Sequence, residues 1–345
     1  MGVQISQLLP KQQIRLEDLS NKRIAIDAFN MIFQFLSIIR QKDTGEPLRD
    51  SKGRITSHLS GLFYRNINFL EVGIKPIYVF DGEPPILKRN TIIEREAKRE
   101  EALRKWQEAL KEGREEDVFV YAQASSKVTE EMIEESKELL EALGIPIIQA
   151  PSEGEAQASY IVIKGDAFAA ASQDSDTLLF GCPRLVRNLS ITGKRKMPRK
   201  EKWIDINPEL IELDVVLKEL EITREQLILI GMLVGTDYNP NGVAGFGPKK
   251  ALSFVKEKKT LEQVLKNIEW NSENDPEEIF NFFVKPRVSD NYEIKFREID
   301  VEKVKKILVD EHEFSEERVE NNLKKVIEIK RKGSQSKLSG WFKAF

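Results

Sequence analysis

The sequence predicts an α/β fold: a central, mostly parallel sheet flanked by helices in the Rossmann-like manner. Three observations lead there. Short apolar, β-branched runs at residues 23–28 (RIAIDA), 74–80 (IKPIYVF), 145–150 (IPIIQA) and 167–172 (AFAAAS) read as buried strands. Helical text separates them, as the crossovers between parallel strands require. Acids stand at or just after each run: Asp27, Asp81, the pair Glu153 and Glu155, and the pair Asp174 and Asp176. The carboxyl ends of parallel strands share one edge, where open α/β sheets bind ligands, so this order gathers the acids in one crevice.

Taken in order, MGVQIS fits an acylation pattern that six residues match by chance, and residues 5–9 continue as helical text. After the first strand, FNMIFQFLSIIR is a helix. Residues 41–54 are polar and turn-rich, which predicts a mobile loop before a helix over 55–71. The prolines of DGEPP stop any helix after Asp81. Residues 88–127 are charged and helical with few large apolar side chains, an exposed hairpin or an arm over the crevice. Lys88, Arg95 and Arg99 share one helical face there, able to meet phosphates. An amphipathic helix over 128–143 stops at Gly144. Beyond the acids, 185–189 and 203–206 are short strands within a basic stretch, and helices follow from 208.

Residues 231–255 change character: Asp237 closes an apolar helix, and NPNGVAGFGP leads into the helix KKALSFV. Gly242, Gly245 and Gly247, with Lys249 and Lys250 at a helix start, would turn backbone N–H groups toward an anion. Polar helices and loops such as NSENDPEE fill the chain to about 329, and no chemistry is read from them. Residues 331–337 read as a flexible basic tail, yet the chain goes on to LSGWFKAF, whose adjacent aromatics need somewhere to dock.

Composition narrows the function. The one cysteine, Cys182, forms no internal disulfide, and 32% charged residues suit a reducing cytoplasm. No apolar run reaches the roughly 20 residues of a membrane span. His58 and His312 lie in helical text without metal or triad patterning, so zinc sites and Ser-His-Asp catalysis lack their parts. Asp27, Asp81, Glu153, Glu155, Asp174, Asp176 and Asp237 remain. Gathered together they repel one another unless cations sit among them. All-oxygen donors favour magnesium, with manganese able to substitute. Two such ions about 4 Å apart could activate a water and stabilise the leaving oxygen of a phosphodiester.

The segments IDAFNMIFQFL, SHLSGLFYRNINFLEVGIKPIYVFDGEPPILK, APSEGEAQASYIV, AAASQDSDTLLFG and LVGTDYNPNGVAGFGPKKA, in this order and spacing, resemble the flap endonucleases among the XPG-type structure-specific 5′ nucleases. The resemblance implies a PIN-like nuclease core with a helical arch and a helix-turn-helix element. It implies that Asp27, Asp81, Glu153 and Glu155 surround mainly one ion and Asp174, Asp176 and Asp237 the other. Lys88 and Arg95 match arch residues that contact the scissile phosphate, and residues 242–250 match an element that grips duplex backbone with a potassium ion. Phe33 stands where a base-stacking tyrosine is common, and Gly154 makes SEGEA of the usual SEAEA. The ending QSKLSGWF, with Gln335, Leu338, Trp341 and Phe342, is similar to the motif that docks on the sliding clamp, proliferating cell nuclear antigen. The few residues after it look archaeal.

The reading is therefore a metal-dependent 5′ flap endonuclease and 5′-3′ exonuclease acting on branched DNA in replication and repair. It is expected in the cytoplasm on the nucleoid, monomeric apart from the clamp complex. The expected layout is one nuclease domain over 1–330 and a flexible tail over 331–345. The domain divides into an N-terminal region (1–87), arch (88–127), internal region (128–259, helix-turn-helix element at 237–255) and C-terminal helices (260–330). Two alternatives stay open: a protein that binds junctions and leaves them intact, and a nuclease directed at RNA.

Overall fold

The structure, a computed structural model, describes residues 2–41, 44–191, 193–196 and 203–342. Its strands in chain order are β1 (Gln12–Gln13), β2 (Arg23–Asp27), β3 (Lys75–Phe80), β4 (Ile147–Gln149), β5 (Ala169–Ala171), β6 (Arg184–Arg187), β7 (Gly193–Lys196), β8 (Trp203–Ile206) and β9 (Glu209–Glu212). Among the described residues seven of them form one sheet in the order β1-β9-β6-β5-β2-β3-β4, and β7 and β8 form a separate antiparallel pair. Strands β6, β5, β2, β3 and β4 run parallel, while β9 and β1 close one edge antiparallel. The chain adds β3 and β4 on one side of β2, then crosses back to add β5 and β6 on the other. Asp27, at the end of β2, therefore stands at the topological switch point, where a crevice opens.

The period-2 alternation of the strands divides their side chains between two cores. Ile24, Ile26, Tyr78, Phe80, Ala169 and Ala171 enter one, and Ala25, Ile77, Val79 and Ala170 the other. The first face is covered by α1 (Ala28–Ile38) and α2 (Ser57–Val72). After β3 the chain leaves the sheet as a hairpin of α3 (Arg89–Glu112) and α4 (Glu115–Ala124), the exposed arm that the charged text predicts. It returns as α5 (Glu130–Ala142) on the first face, started by Thr129, whose hydroxyl accepts from the Met132 N–H. Helix α6 (Gly154–Ile163) covers the opposite face, with Ala158, Ile161 and Val162 inward. A third cluster is built from α7 (Asp176–Leu179), α8 (Leu213–Leu220), α9 (Arg224–Val234), α10 (Pro248–Lys258), α11 (Leu261–Leu265) and α12 (Pro276–Val284). Finally α13 (Val301–Lys305), a π-helical turn over Lys306–Glu311 and α14 (Glu316–Phe342) bring Val304, Leu308, Val319, Leu323 and Val326 back to the first core. Each such buried aliphatic side chain is worth roughly 1.5–3 kcal/mol.

Four expectations change. Residues 5–9 form a turn instead of a helix, the Leu8 N–H donating to the Ile5 carbonyl at 2.8 Å while Ile5 and Leu9 are both buried in the third cluster. The text after 208 begins with β9, since Leu210 and Ile211 pair with Val186 and Leu185. Residues 44–54 are tied down: Arg40 donates to the Gly45 carbonyl (2.6 Å) and Trp106 Nε1 to the Thr44 carbonyl (3.2 Å). The backbone of residues 331–342 continues α14 as helix. The side chains of Gln335, Leu338, Trp341 and Phe342 lie outside the described residues.

Candidate active site

The parallel strands deliver the acids where their order predicts. Asp27 ends β2 and also caps α1, its Oδ1 accepting from the Asn30 N–H at 3.0 Å. Asp81 follows β3, and its Oδ1 accepts from the Gly154 N–H at 2.5 Å. A Cβ at Gly154 would stand 2.7 Å from that same oxygen, so the glycine of SEGEA lets the α6 backbone approach Asp81, beyond any small loss of helix stability. Glu153 precedes α6 and Glu155 lies in its first turn, where the helix dipole favours negative charge. Asp174 follows β5, and Asp176 opens α7.

Side chains from several elements hold these acids in place. The Ser172 hydroxyl donates to Glu155 Oε1 (2.7 Å) and lies 3.5 Å from Asp27 Oδ2, joining two strand ends. Asn30 Nδ2 donates to Asp174 Oδ2 at 3.4 Å. From the start of the chain, the Gly2 N–H donates to Asp174 Oδ1 (2.9 Å) and the Val3 N–H to Asp176 Oδ1 (2.6 Å). A Cβ at Gly2 would lie 2.7 Å from Asp174 Cβ, so this close approach favours glycine. Ser172 and Asn30 have a local signal, a polar residue two or three positions from an acid. Gly2 and Val3 have none, because their partners lie more than 170 residues away.

Burial, then mutual repulsion, governs the electrostatics. Burial pushes Asp27 well above the usual carboxylate range, and Asp81 and Asp174 push it further. Glu155 is raised well above its range by burial, then by Asp174, Asp27 and Asp176. Asp176 reaches about 7 through burial and the charges of Asp237 and Asp174. Asp81 and Glu153 are raised as well, burial first, with Lys88 opposing.

The arm answers this field with cations. Lys88, just before α3, places Nζ 2.6 Å from Glu153 Oε2 and 3.4 Å from Asp237 Oδ2, and Arg95 pairs with Asp237. Burial works against the Lys88 ammonium, but Glu153 and Asp237 carry it above the ordinary lysine value. Asp237 itself lies three residues beyond the end of α9, in a turn closed by the Thr236–Asn239 bridge. Arg99 faces the same side, lowered by burial and then by Arg95.

Among the described residues no three His, Cys, Asp or Glu side chains close around a common point as a metal shell. The chemistry of the donors still fits hard divalent cations. Carboxylates that burial and repulsion hold above their ordinary range gain most when positive charge enters among them, and every donor is oxygen.

The remaining expected residues are more dispersed. Phe33 lies half-buried on α1 against the first core. Gly242, left-handed at φ 57°, makes the turn between α9 and α10, and Gly247 caps α10 ahead of Pro248. Lys250 donates to the Gly245 carbonyl at 3.0 Å and lies over the Phe246 ring, while Lys249 is exposed.

Known proteins resemble this chain over almost its whole length. Residues 1–102 match the XPG N-terminal domain and 144–237 the XPG I-region, and together they span the acids from Asp27 to Asp237. Flap endonuclease 1 of Pyrococcus furiosus is 56% identical over 343 residues, covering 99% of this chain and 100% of that one. Flap endonuclease 1 of Thermofilum pendens is 50% identical over 345 residues, covering 99% of each. Among solved structures, flap endonuclease-1 from Methanococcus jannaschii is 44% identical with TM-score 0.75, covering 95% of this chain and 98% of that one. The catalytic core of Rad2 in complex with DNA substrate (complex II) is 25% identical with TM-score 0.68, covering 92% and 96%. With half its residues shared over almost its whole length and the strand-end acids in the same regions, the chain belongs to the flap endonuclease 1 family.

Proposed function

We propose that this crevice cuts branched DNA at the foot of a 5′ flap, as a structure-specific flap endonuclease of the kind the family names. The observation that carries the reading is the meeting of strand-end acids with Lys88 and Arg95 from the arm. Such a site suits a polyanion that arrives with cations. Lys88 and Arg95 are already held at the crevice, so a phosphate meets an ammonium and a guanidinium fork without waiting for side chains to order. Asp27, Asp81, Glu153 and Glu155 would hold one divalent ion, and Asp174, Asp176 and Asp237 a second, magnesium by preference and manganese as substitute. The chemistry such ions supply is activation of a water and neutralisation of charge on the leaving oxygen.

Farther out, Phe33 offers a ring for a base to stack on. The turn carrying Gly242, Gly245 and Gly247, followed by Lys249 and Lys250, offers backbone N–H groups and cations to duplex phosphates, with potassium as the ion in that turn. The arm over 88–127 receives the single strand. The same activity removes flaps in replication and repair, with 5′-3′ exonuclease action on the same site, in the cytoplasm where the DNA lies.

The test is cleavage of an end-labelled 5′ flap in magnesium. The wild-type chain cuts near the junction, and Lys88→Ala lowers kcat by about 10²-fold, roughly 3 kcal/mol. A chain that binds the flap and leaves it intact overturns the reading in favour of a binding module, and a preference for RNA flaps in the same assay moves the substrate class.

The end of the chain supports a second contact. Gln335, Leu338, Trp341 and Phe342 have the spacing of a sliding-clamp motif. Deleting residues 335–345 is expected to abolish clamp binding and clamp stimulation of cleavage, measured by calorimetry and flap assay. Equal clamp affinity for the truncated and full chains would remove that part of the proposal.

A further inference from the structure

The loop between α11 and α12 was silent in the sequence, yet its Asn274 reaches both halves of the candidate site. Its Nδ2 donates to the Leu87 carbonyl at 2.7 Å and to the Tyr238 carbonyl at 2.6 Å. Leu87 is the residue before Lys88, and Tyr238 the residue after Asp237. One carboxamide thus spends both its N–H groups joining the peptide beside the phosphate-contacting lysine to the peptide beside a metal-holding aspartate. These are the two side chains whose Nζ and Oδ2 stand 3.4 Å apart.

The loop is itself anchored, so the carboxamide is a fixed strut. Trp270 Nε1 donates to the Asn274 carbonyl at 2.9 Å, and Asn90 Nδ2 donates to Glu273 Oε2 at 2.6 Å. The next residue, Asp275, caps α12, its Oδ1 accepting from the Glu277 and Glu278 N–H groups. Helix α12 is held in the core by Phe283, whose ring packs 5.3 Å from that of the buried Tyr238. Thr91 adds a second tie, its hydroxyl donating to the Asp237 carbonyl. The role suits asparagine chemically. A short planar group with two N–H donors can satisfy two carbonyls at once, whereas aspartate offers neither donor and alanine neither partner.

We propose that Asn274 is a positioning residue that sets the base of the arm against Asp237, and so fixes Lys88 relative to the acids. The inference rests on the reading of Lys88 and Asp237 given above. It acts on the alignment of reacting groups, where a displacement of about 1 Å can cost up to 10²-fold in rate.

The experiment uses the full chain, magnesium and a 5′-flap DNA under single-turnover and steady-state conditions. Asn274→Ala and Asn274→Asp are expected to lower kcat by about tenfold while KM and the melting temperature move little. Asn274→Ser, which keeps one donor, is expected to fall between them and wild type. In a Lys88→Ala background, Asn274→Ala is expected to cause no further loss of kcat, a coupling that a merely structural loop would not produce. Undiminished kcat in Asn274→Ala beside a slow Lys88→Ala overturns this inference alone, as do losses that simply multiply in the double variant. A Lys88→Ala chain as fast as wild type removes the reading of the crevice and the inference together.

Discussion

Asp81→Asn is expected to slow cleavage of a 5′ flap in magnesium by about 10³-fold, roughly 4 kcal/mol of lost transition-state stabilisation, while leaving the fold intact. The substitution keeps the oxygen that accepts from the Gly154 N–H and removes only charge. It therefore separates the two roles proposed for the crevice, since the charge that would hold cations is also charge the fold resists. The sign of that resistance follows from the raised carboxyl groups. Asp27, Glu155 and Asp81 stand above their unfolded values and Asp176 stands at about 7, so the folded chain binds more protons than the unfolded one. Their contribution to stability is complete below the ordinary carboxylate range and is lost as pH rises through the folded values. In a chelator, the melting temperature of the wild-type chain is expected to fall as pH rises from the ordinary carboxylate range through about 7, where Asp176 stands, and magnesium is expected to remove the fall. Asp81→Asn at pH 8 in chelator should melt no lower than wild type. An Asp81→Asn chain with wild-type cleavage would refute the metal role of this acid.

The second large effect lies far from the crevice. Glu135→Ala is expected to destabilise the fold by about 3 kcal/mol or more, because it leaves two buried histidines without the carboxylate they share. Glu135 Oε2 lies 2.8 Å from His58 Nε2 and its Oε1 lies 3.0 Å from His312 Nε2, so one carboxylate on α5 joins α2 to the turn before α14. His312 Nδ1 faces the Ile307 carbonyl at 2.7 Å. Both atoms facing that ring are acceptors, so both its nitrogens donate and the ring carries charge. Burial works against the Glu135 carboxylate, but hydrogen bonds from His312 and His58 outweigh it and hold the group down to about 2. Glu135 in turn raises His312, with burial opposing and the Ile307 carbonyl assisting.

The lowered acid contributes stability above its ordinary 4.5 that is lost as pH falls through about 2, and the raised histidine contributes below its ordinary 6.5 and is lost as pH rises through its folded value. Between those ordinary values both contribute in full, so the cost of Glu135→Ala is greatest at about pH 4.5–6.5. Glu135→Gln keeps one acceptor and is expected to cost less, about 1–2 kcal/mol. Denaturant unfolding at pH 6 measures both, and an unchanged midpoint for Glu135→Ala would discard the account.

The crevice was legible because its cause is local. A β-branched run followed by an acid places that acid at a strand end, and helical crossovers make the strands parallel, so the positions of Asp27, Asp81, Glu153 and Asp174 follow from short stretches of text. The charged arm and the glycine turn were legible for the same reason, since periodicity and turn chemistry act within a few residues. The contacts between residues distant in the chain were not. Gly2 and Val3 reach Asp174 and Asp176, Asn274 reaches Leu87 and Tyr238, and Glu135 collects two histidines that in the sequence stand 254 residues apart, at 58 and 312. A backbone N–H or a single carboxamide has no periodicity to announce it. By itself, then, the sequence determined the parallel strands that carry the acids, the acids at their ends and the family; the order of strands in the sheet and which distant atoms satisfy those acids were decided only when packing closed the loops and left each buried polar group to find its nearest partner.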